Sequence, residues 1–168
     1  MAVGERFLTP GDWYFGRGDL QLRTVLGSCV SFVFWHPGDR LGGMTHSLLP
    51  SRLGGAKTTR RDGHYIDDAL YLILRAMARH GSDPRGYRIH LYGGGSMFPG
   101  VPSTPVASIG QRNVEAARAL LAAYGLRCDK THVEGIGHRK LILDLRTGAV
   151  SLQQATLSAN PSSPDYPQ

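Results

Sequence analysis

Seven stretches with strand character and two with helical periodicity predict an α/β fold of the mixed α+β kind, with the two helices packed on sheet. Three observations carry that expectation. Runs of β-branched and aromatic residues are bounded by Gly, Pro and Asp turns; two apolar stripes at helical spacing each end at a glycine; and 41% hydrophobic with 19% charged residues is ordinary for a chain that buries a core. At 168 residues the chain has the length of one domain, taken as residues 1–154. Residues 155–168 are rich in Ser and Pro and poor in large apolar side chains, and read as a frayed tail.

The elements follow in order. Residues 20–26 and 28–35 read as strands, and the turn formers His36-Pro37-Gly38-Asp39 separate the second from a third strand at 41–49. If these two pair antiparallel about Gly38, Cys29 lies opposite about residue 47 and His46 nearly across from it. Residues 51–63 shift to Gly, Thr, Lys and Arg, the composition of an exposed loop. Ile66, Ala69, Leu70, Ile73, Leu74 and Met77 then recur at helical spacing, leaving Asp67, Asp68, Arg75 and Arg79 to the other face, until Gly81 stops the helix. A strand at 87–92 runs into Gly93-Gly94-Gly95. Ser108 and Gln111 form a capping box for the second helix, whose stripe is Val114, Ala117, Leu121 and Tyr124 and whose stop is Gly125. Residues 126–132, 139–145 and 149–153 read as the remaining strands, the last two joined by the turn Arg146-Thr147-Gly148.

Several function classes drop out on composition. No apolar run reaches the ~20 residues of a membrane helix. Residues 1–6 lack the apolar stretch of a secretory signal, so a cytoplasmic protein is expected. Cys29 and Cys128 make no disulfide framework, and together with His46 and His132 they match no common zinc spacing. The glycine run lacks the Gly-Lys-Ser/Thr ending of a phosphate loop. No metal or organic cofactor is expected. The formal charge of +6 is concentrated partly in Arg52, Lys57, Arg60 and Arg61, with no nucleic-acid motif beside them. An acidic protein surface suits this loop as a partner; simple solvation is the other reading.

Chemistry enters with Gly27-Ser28-Cys29 and His46. A cysteine becomes a strong nucleophile as thiolate, and an imidazole in reach can take its proton. Small residues before the nucleophile, Gly27 and Ser28, let a substrate carbonyl approach main-chain N–H groups that can hold an oxyanion. On the residues alone, Cys29 can also be a small core residue and His46 a satisfied core histidine.

Five segments weigh in together: Thr24-Val25-Leu26-Gly27-Ser28-Cys29-Val30, Gly42-Gly43-Met44-Thr45-His46-Ser47-Leu48-Leu49-Pro50, Tyr65-Ile66-Asp67-Asp68-Ala69, Gly93-Gly94-Gly95-Ser96-Met97-Phe98 and Ile109-Gly110-Gln111-Arg112-Asn113-Val114. In this order they resemble the chemoreceptor glutamine deamidase family, CheD, over residues 20–150. The resemblance implies a layered sandwich of mixed β-sheets with two main helices. It also implies Cys29 as nucleophile, His46 as base and Thr24 as third member. The implied activity is that of a protein-glutamine glutaminase, which converts glutamines on the cytoplasmic helices of chemotaxis receptors to glutamate through a thioester, and in some members hydrolyses receptor methyl esters. A CheC-type phosphatase is the implied partner, and a receptor-docking adaptor with little catalysis is the competing function. Glu134 and His138 stand where the resemblance implies glycine.

Overall fold

The computed structural model describes residues 2–52, 60–97 and 109–155. Among these, nine strands and two α-helices occur in the order β1 (Gly4–Phe7), β2 (Trp13–Gly16), β3 (Leu20–Leu26), β4 (Val30–His36), β5 (Leu41–Thr45), α1 (Ile66–Arg79), β6 (Arg88–Gly93), α2 (Ile109–Ala123), β7 (Lys130–Val133), β8 (His138–Asp144) and β9 (Val150–Ala155). One mixed sheet has the order β1-β3-β8-β9 and the other β2-β5-β4-β6-β7. The β1/β3 and β6/β7 pairs are parallel and the rest antiparallel. This is the layered α+β architecture expected.

The burial patterns explain the layers. Every residue of β4 but the last is buried, as a central strand covered on both faces requires. Its alternate side chains part company: Val33 and Trp35 join Leu22, Leu26, Met44, Leu141 and Leu143 between the sheets, while Phe32 and Phe34 pack with Ile66, Leu70, Ile73 and Val114 under the helices. Both helices end as their glycines dictate. Gly81 (φ 66°) and Gly125 (φ 68°) adopt the left-handed conformation, with Ser82 N–H bonded to Met77 O and Leu126 N–H to Leu121 O.

Several expectations change. β1 and β2 add to the seven expected strands; they are four residues each, β1 fully exposed, too short to display a period. The strand begun at Leu41 ends at Thr45, and the strand expected at 126–132 starts only at Lys130 and runs one residue further, to Val133. Tyr124 is exposed, and Asn113 takes the buried place on α2. Asp68 is buried rather than on the open face of α1, because Arg52, Arg61 and the Asp62 N–H all reach its carboxylate. Lys57, Ser108, Phe98 and the tail beyond residue 155 lie outside the described residues.

Candidate active site

The β4/β5 hairpin puts His46 on the same side of the sheet as Cys29 by a different register from the one expected. Val33 pairs with Met44 and Val30 with Ser47, which sets Leu48, not residue 47, across from Cys29. His46 is two residues from that position and therefore a diagonal neighbour on the same face. Strand pairing breaks at this point. The Phe32 N–H turns to the Thr45 hydroxyl (2.9 Å), and the His46 main chain is held instead by residues before β2, with His46 N–H donating to Asp12 O (3.0 Å) and Gly11 N–H to His46 O (2.8 Å).

The same N-terminal segment grips the imidazole. The Thr24 hydroxyl donates to Leu8 O at 2.7 Å, so its oxygen is an acceptor toward His46 Nδ1, also at 2.7 Å. Leu8 O lies 3.3 Å from Nδ1 and, as a carbonyl, can only accept. Both contacts require the proton on Nδ1, which leaves the Nε2 lone pair as the basic atom. Thr24 and His46 are buried, whereas Cys29 is half-buried and packs against the inter-sheet core. Among the described residues no hydrogen bond joins Cys29 Sγ to the imidazole.

Burial pushes the Cys29 thiol above its ordinary value and the His46 imidazole below its own, although the Leu8 carbonyl and the Asp12 carboxylate pull the latter back in part. Both shifts favour the uncharged forms, a thiol and a neutral imidazole.

Three contacts fix the backbone around Cys29. Gly95 N–H donates to Gly27 O (2.9 Å), Asn113 Nδ2 to Ser28 O (3.0 Å), and Gly94 N–H to Cys29 O (2.9 Å). Such closeness needs glycine: Gly93 has φ 109°, and a methyl group there would collide with the Cys29 carbonyl. The glycine run is therefore a close-packed backbone at the site. Arg139 supports it from beneath. Its wholly buried guanidinium donates to His132 Nδ1 (2.9 Å), to Gly93 O (3.4 Å) and to Glu134 O. Glu134 occupies the left-handed region (φ 63°), a conformation that costs an ordinary residue about 1–2 kcal/mol and that glycine adopts freely. His138 is simply the first residue of β8.

The other expected residues separate. Cys128 packs on the helix side of the five-stranded sheet, away from the inter-sheet core that Cys29 meets, with its thiol donating to Lys130 O (3.3 Å). Arg52, Arg60 and Arg61 line a cleft of about 610 Å3 with Trp13, Asp62, Gly63 and Leu72. Arg52 and Arg61 bridge Asp68 at 3.4 and 3.1 Å and stack over Tyr65 and Tyr71. Among the described residues no group of three His, Cys, Asp or Glu side chains could hold a metal. No described helix is long and apolar enough to cross a membrane.

Sequence reasoning missed residues 8–12, Asn113 and Arg139. The turn formers Pro10-Gly11 signal a bend but not the strand it meets. Arg139 was findable, since the alternation of β8 puts it inward with Leu141 and Leu143.

The family model described as CheD chemotactic sensory transduction matches residues 48–154. A protein of Albidiferax ferrireducens named "Probable chemoreceptor glutamine deamidase CheD 2" is 40% identical over 86% of this chain and 83% of its own. Relatives from Pseudomonas fluorescens and Pseudomonas savastanoi, both named "Probable chemoreceptor glutamine deamidase CheD", are 41% and 37% identical, over 89% and 95% of this chain and 84% and 89% of theirs. Likeness of this extent and identity, running through both the Cys29 and the Asn113 segments, makes the chain a member of the CheD family.

Proposed function

We propose that the chain is a chemoreceptor glutamine deamidase in which Cys29 is the nucleophile, His46 its base and Thr24 the residue that orients the base. One observation carries the reading: the hydroxyl of Thr24, committed as donor to Leu8 O, can meet His46 Nδ1 only as an acceptor, and so supports an imidazole with Nε2 free to take a proton.

Cys29 Sγ attacks the glutamine carboxamide carbon as its proton passes to His46 Nε2. The oxyanion is held by the N–H groups of Ser28 and Cys29 beside the small Gly27. Collapse expels ammonia, which carries off that proton and leaves a thioester. Water then attacks with His46 as base, the thiol departs with the proton returned, and glutamate is the product. A methyl ester presents the same acyl centre with methanol as leaving group, so ester hydrolysis falls within the chemistry.

The basic cleft of Arg52, Arg60 and Arg61 suits a glutamate-rich receptor helix as its docking partner, and Lys57 belongs to the same loop in sequence. A CheC-type phosphatase partner and a cytoplasmic place of action form part of this proposal.

The test is incubation with a cytoplasmic receptor fragment and mass spectrometry for glutamine converted to glutamate. Wild type and Cys128→Ala are expected to deamidate equally, and Cys29→Ala and His46→Ala not at all. Turnover by Cys29→Ala at the wild-type rate would end the assignment.

A further inference from the structure

Asn113 sits on the first turn and a half of α2, yet its side chain does nothing for that helix. It is fully buried, and both protons of its amide leave the helix: Nδ2 donates to Ser28 O at 3.0 Å and to Leu48 O at 2.8 Å. These carbonyls belong to the residue before the nucleophile and to the position across from it in the hairpin register. The other amide atom, Oδ1, is buried without a hydrogen-bond partner among the described residues. A buried acceptor left unsatisfied costs stability, so the orientation of this amide is set by the two carbonyls it serves and not by its own satisfaction.

Peptide geometry gives that contact a catalytic consequence. In a trans peptide the C=O of one residue and the N–H of the next point in opposite directions across a rigid plane, and no cis bond occurs among the described residues. Holding Ser28 O against Asn113 therefore directs the Cys29 N–H away from α2. Gly95 does the same for the preceding plane by holding Gly27 O, which directs the Ser28 N–H. Among the described residues neither the Ser28 nor the Cys29 N–H meets a main-chain acceptor.

We infer that Asn113 is a positioning residue for the deamidation: it locks the Ser28–Cys29 peptide so that the Cys29 N–H is preset as an oxyanion donor, while tying that peptide to the strand end that carries His46. The inference rests on the proposed role of Cys29 as nucleophile. Asn113 acts through the backbone of Cys29 and touches no substrate atom.

The test separates acyl chemistry from simple thiol reactivity. Hydrolysis of an amide passes through an oxyanion, whereas alkylation by iodoacetamide is a direct displacement at carbon that needs none. Asn113→Asp keeps the shape of the side chain but replaces the donor with oxygen that faces two carbonyls. Its kcat on the receptor fragment is expected to fall by roughly 10²-fold or more, the scale for loss of an oxyanion donor, with KM held within about twofold. Iodoacetamide should label its Cys29 at close to the wild-type rate. If the Asp variant does not fold, the same three readings are taken on Asn113→Ser, whose single short hydroxyl cannot bridge both carbonyls.

Wild-type kcat in the folded variant overturns the inference. So does a parallel fall in kcat and in Cys29 labelling, which marks Asn113 as merely holding the loop together. Cys29→Ala run alongside keeps the two proposals apart. An active Cys29→Ala removes the nucleophile reading itself, and an inactive one beside a fully active Asn113→Asp removes only the positioning role.

Discussion

Replacing Thr24 with Val retains the β-branched shape on β3 and deletes one oxygen. Two buried hydrogen bonds go with it, the 2.7 Å donation to Leu8 O and the 2.7 Å acceptance from His46 Nδ1. Leu8 O is not orphaned, because at 3.3 Å it can still accept from Nδ1. At about 1 kcal/mol per net buried bond, the variant should lose roughly 1–2 kcal/mol of stability. The imidazole keeps a longer, weaker contact that still favours the proton on Nδ1. Loss of one neutral orienting bond then corresponds to a kcat lower by about tenfold. That is far short of the ~10⁴-fold seen when a charged triad member is replaced, since Thr24 offers no negative charge to an imidazolium. Deamidation of a receptor fragment followed by mass spectrometry gives kcat and KM, with Thr24→Ser as the control that keeps the hydroxyl and most of the rate. A Val variant within twofold of wild type would refute the orienting role. A folded Val variant as dead as Cys29→Ala would refute the reasoning differently, by showing that Thr24 does more than orient.

Other expectations follow from the same geometry. Burial holds the His46 imidazole below the ordinary 6.5, so the base stays unprotonated there and the acid limb of kcat/KM should have its midpoint under pH 6.5; a midpoint above that value would contradict the buried environment. Burial likewise raises the Cys29 thiol above 9.0, and labelling by iodoacetamide should still be climbing at pH 9, whereas a plateau already at pH 7 would mean a preformed thiolate. Gly93→Ala, at φ 109° against the Cys29 carbonyl, should lower both Tm and deamidation, and a normal melting curve with full activity would show that the glycine turn tolerates a side chain. Changing Arg60 and Arg61 together to Ala should raise KM for a receptor fragment and flatten its salt dependence with kcat little altered, because exposed charges steer over a screening length of about 8 Å at 0.15 M salt; an unchanged salt series would leave the cleft with no part in docking.

The residues that carry a local signal were legible. The apolar stripes of α1 and α2 and the glycines that stop them follow from 3.6-residue spacing, and β3 from its branched run. Cys29, His46 and Thr24, the residues of the proposed site, stand out by motif, but their mutual geometry does not. The hairpin expectation missed by one residue, because the register is set at Val33–Met44 and Val30–Ser47 and the pairing lapses between them where Thr45 substitutes its hydroxyl. What holds His46 comes from residues 8–12, a segment without periodicity whose partner lies more than 30 residues away. Asp68 and Asn113 break the rule that polar helix positions face water, and only contacts distant in sequence, with Arg52 and Arg61 for one and Ser28 and Leu48 for the other, explain why.

Thr24 belongs to the four-stranded sheet and His46 follows β5 of the five-stranded one, while Cys29 lies in the short link between β3 and β4 where the chain passes from one sheet to the other. The proposed catalytic group is therefore a seam and not a pocket in one layer. Its 2.7 Å Thr24–His46 contact is a gauge of how the two sheets are seated. A slip of about 1 Å leaves every strand ladder intact, yet a displacement of that size can cost a catalytic group about 10²-fold. Mild heat or denaturant should silence such an enzyme before its strands come apart, and residues in the inter-sheet core such as Met44 and Leu141 become, through their seating of one layer on the other, part of the machinery for chemistry they never touch.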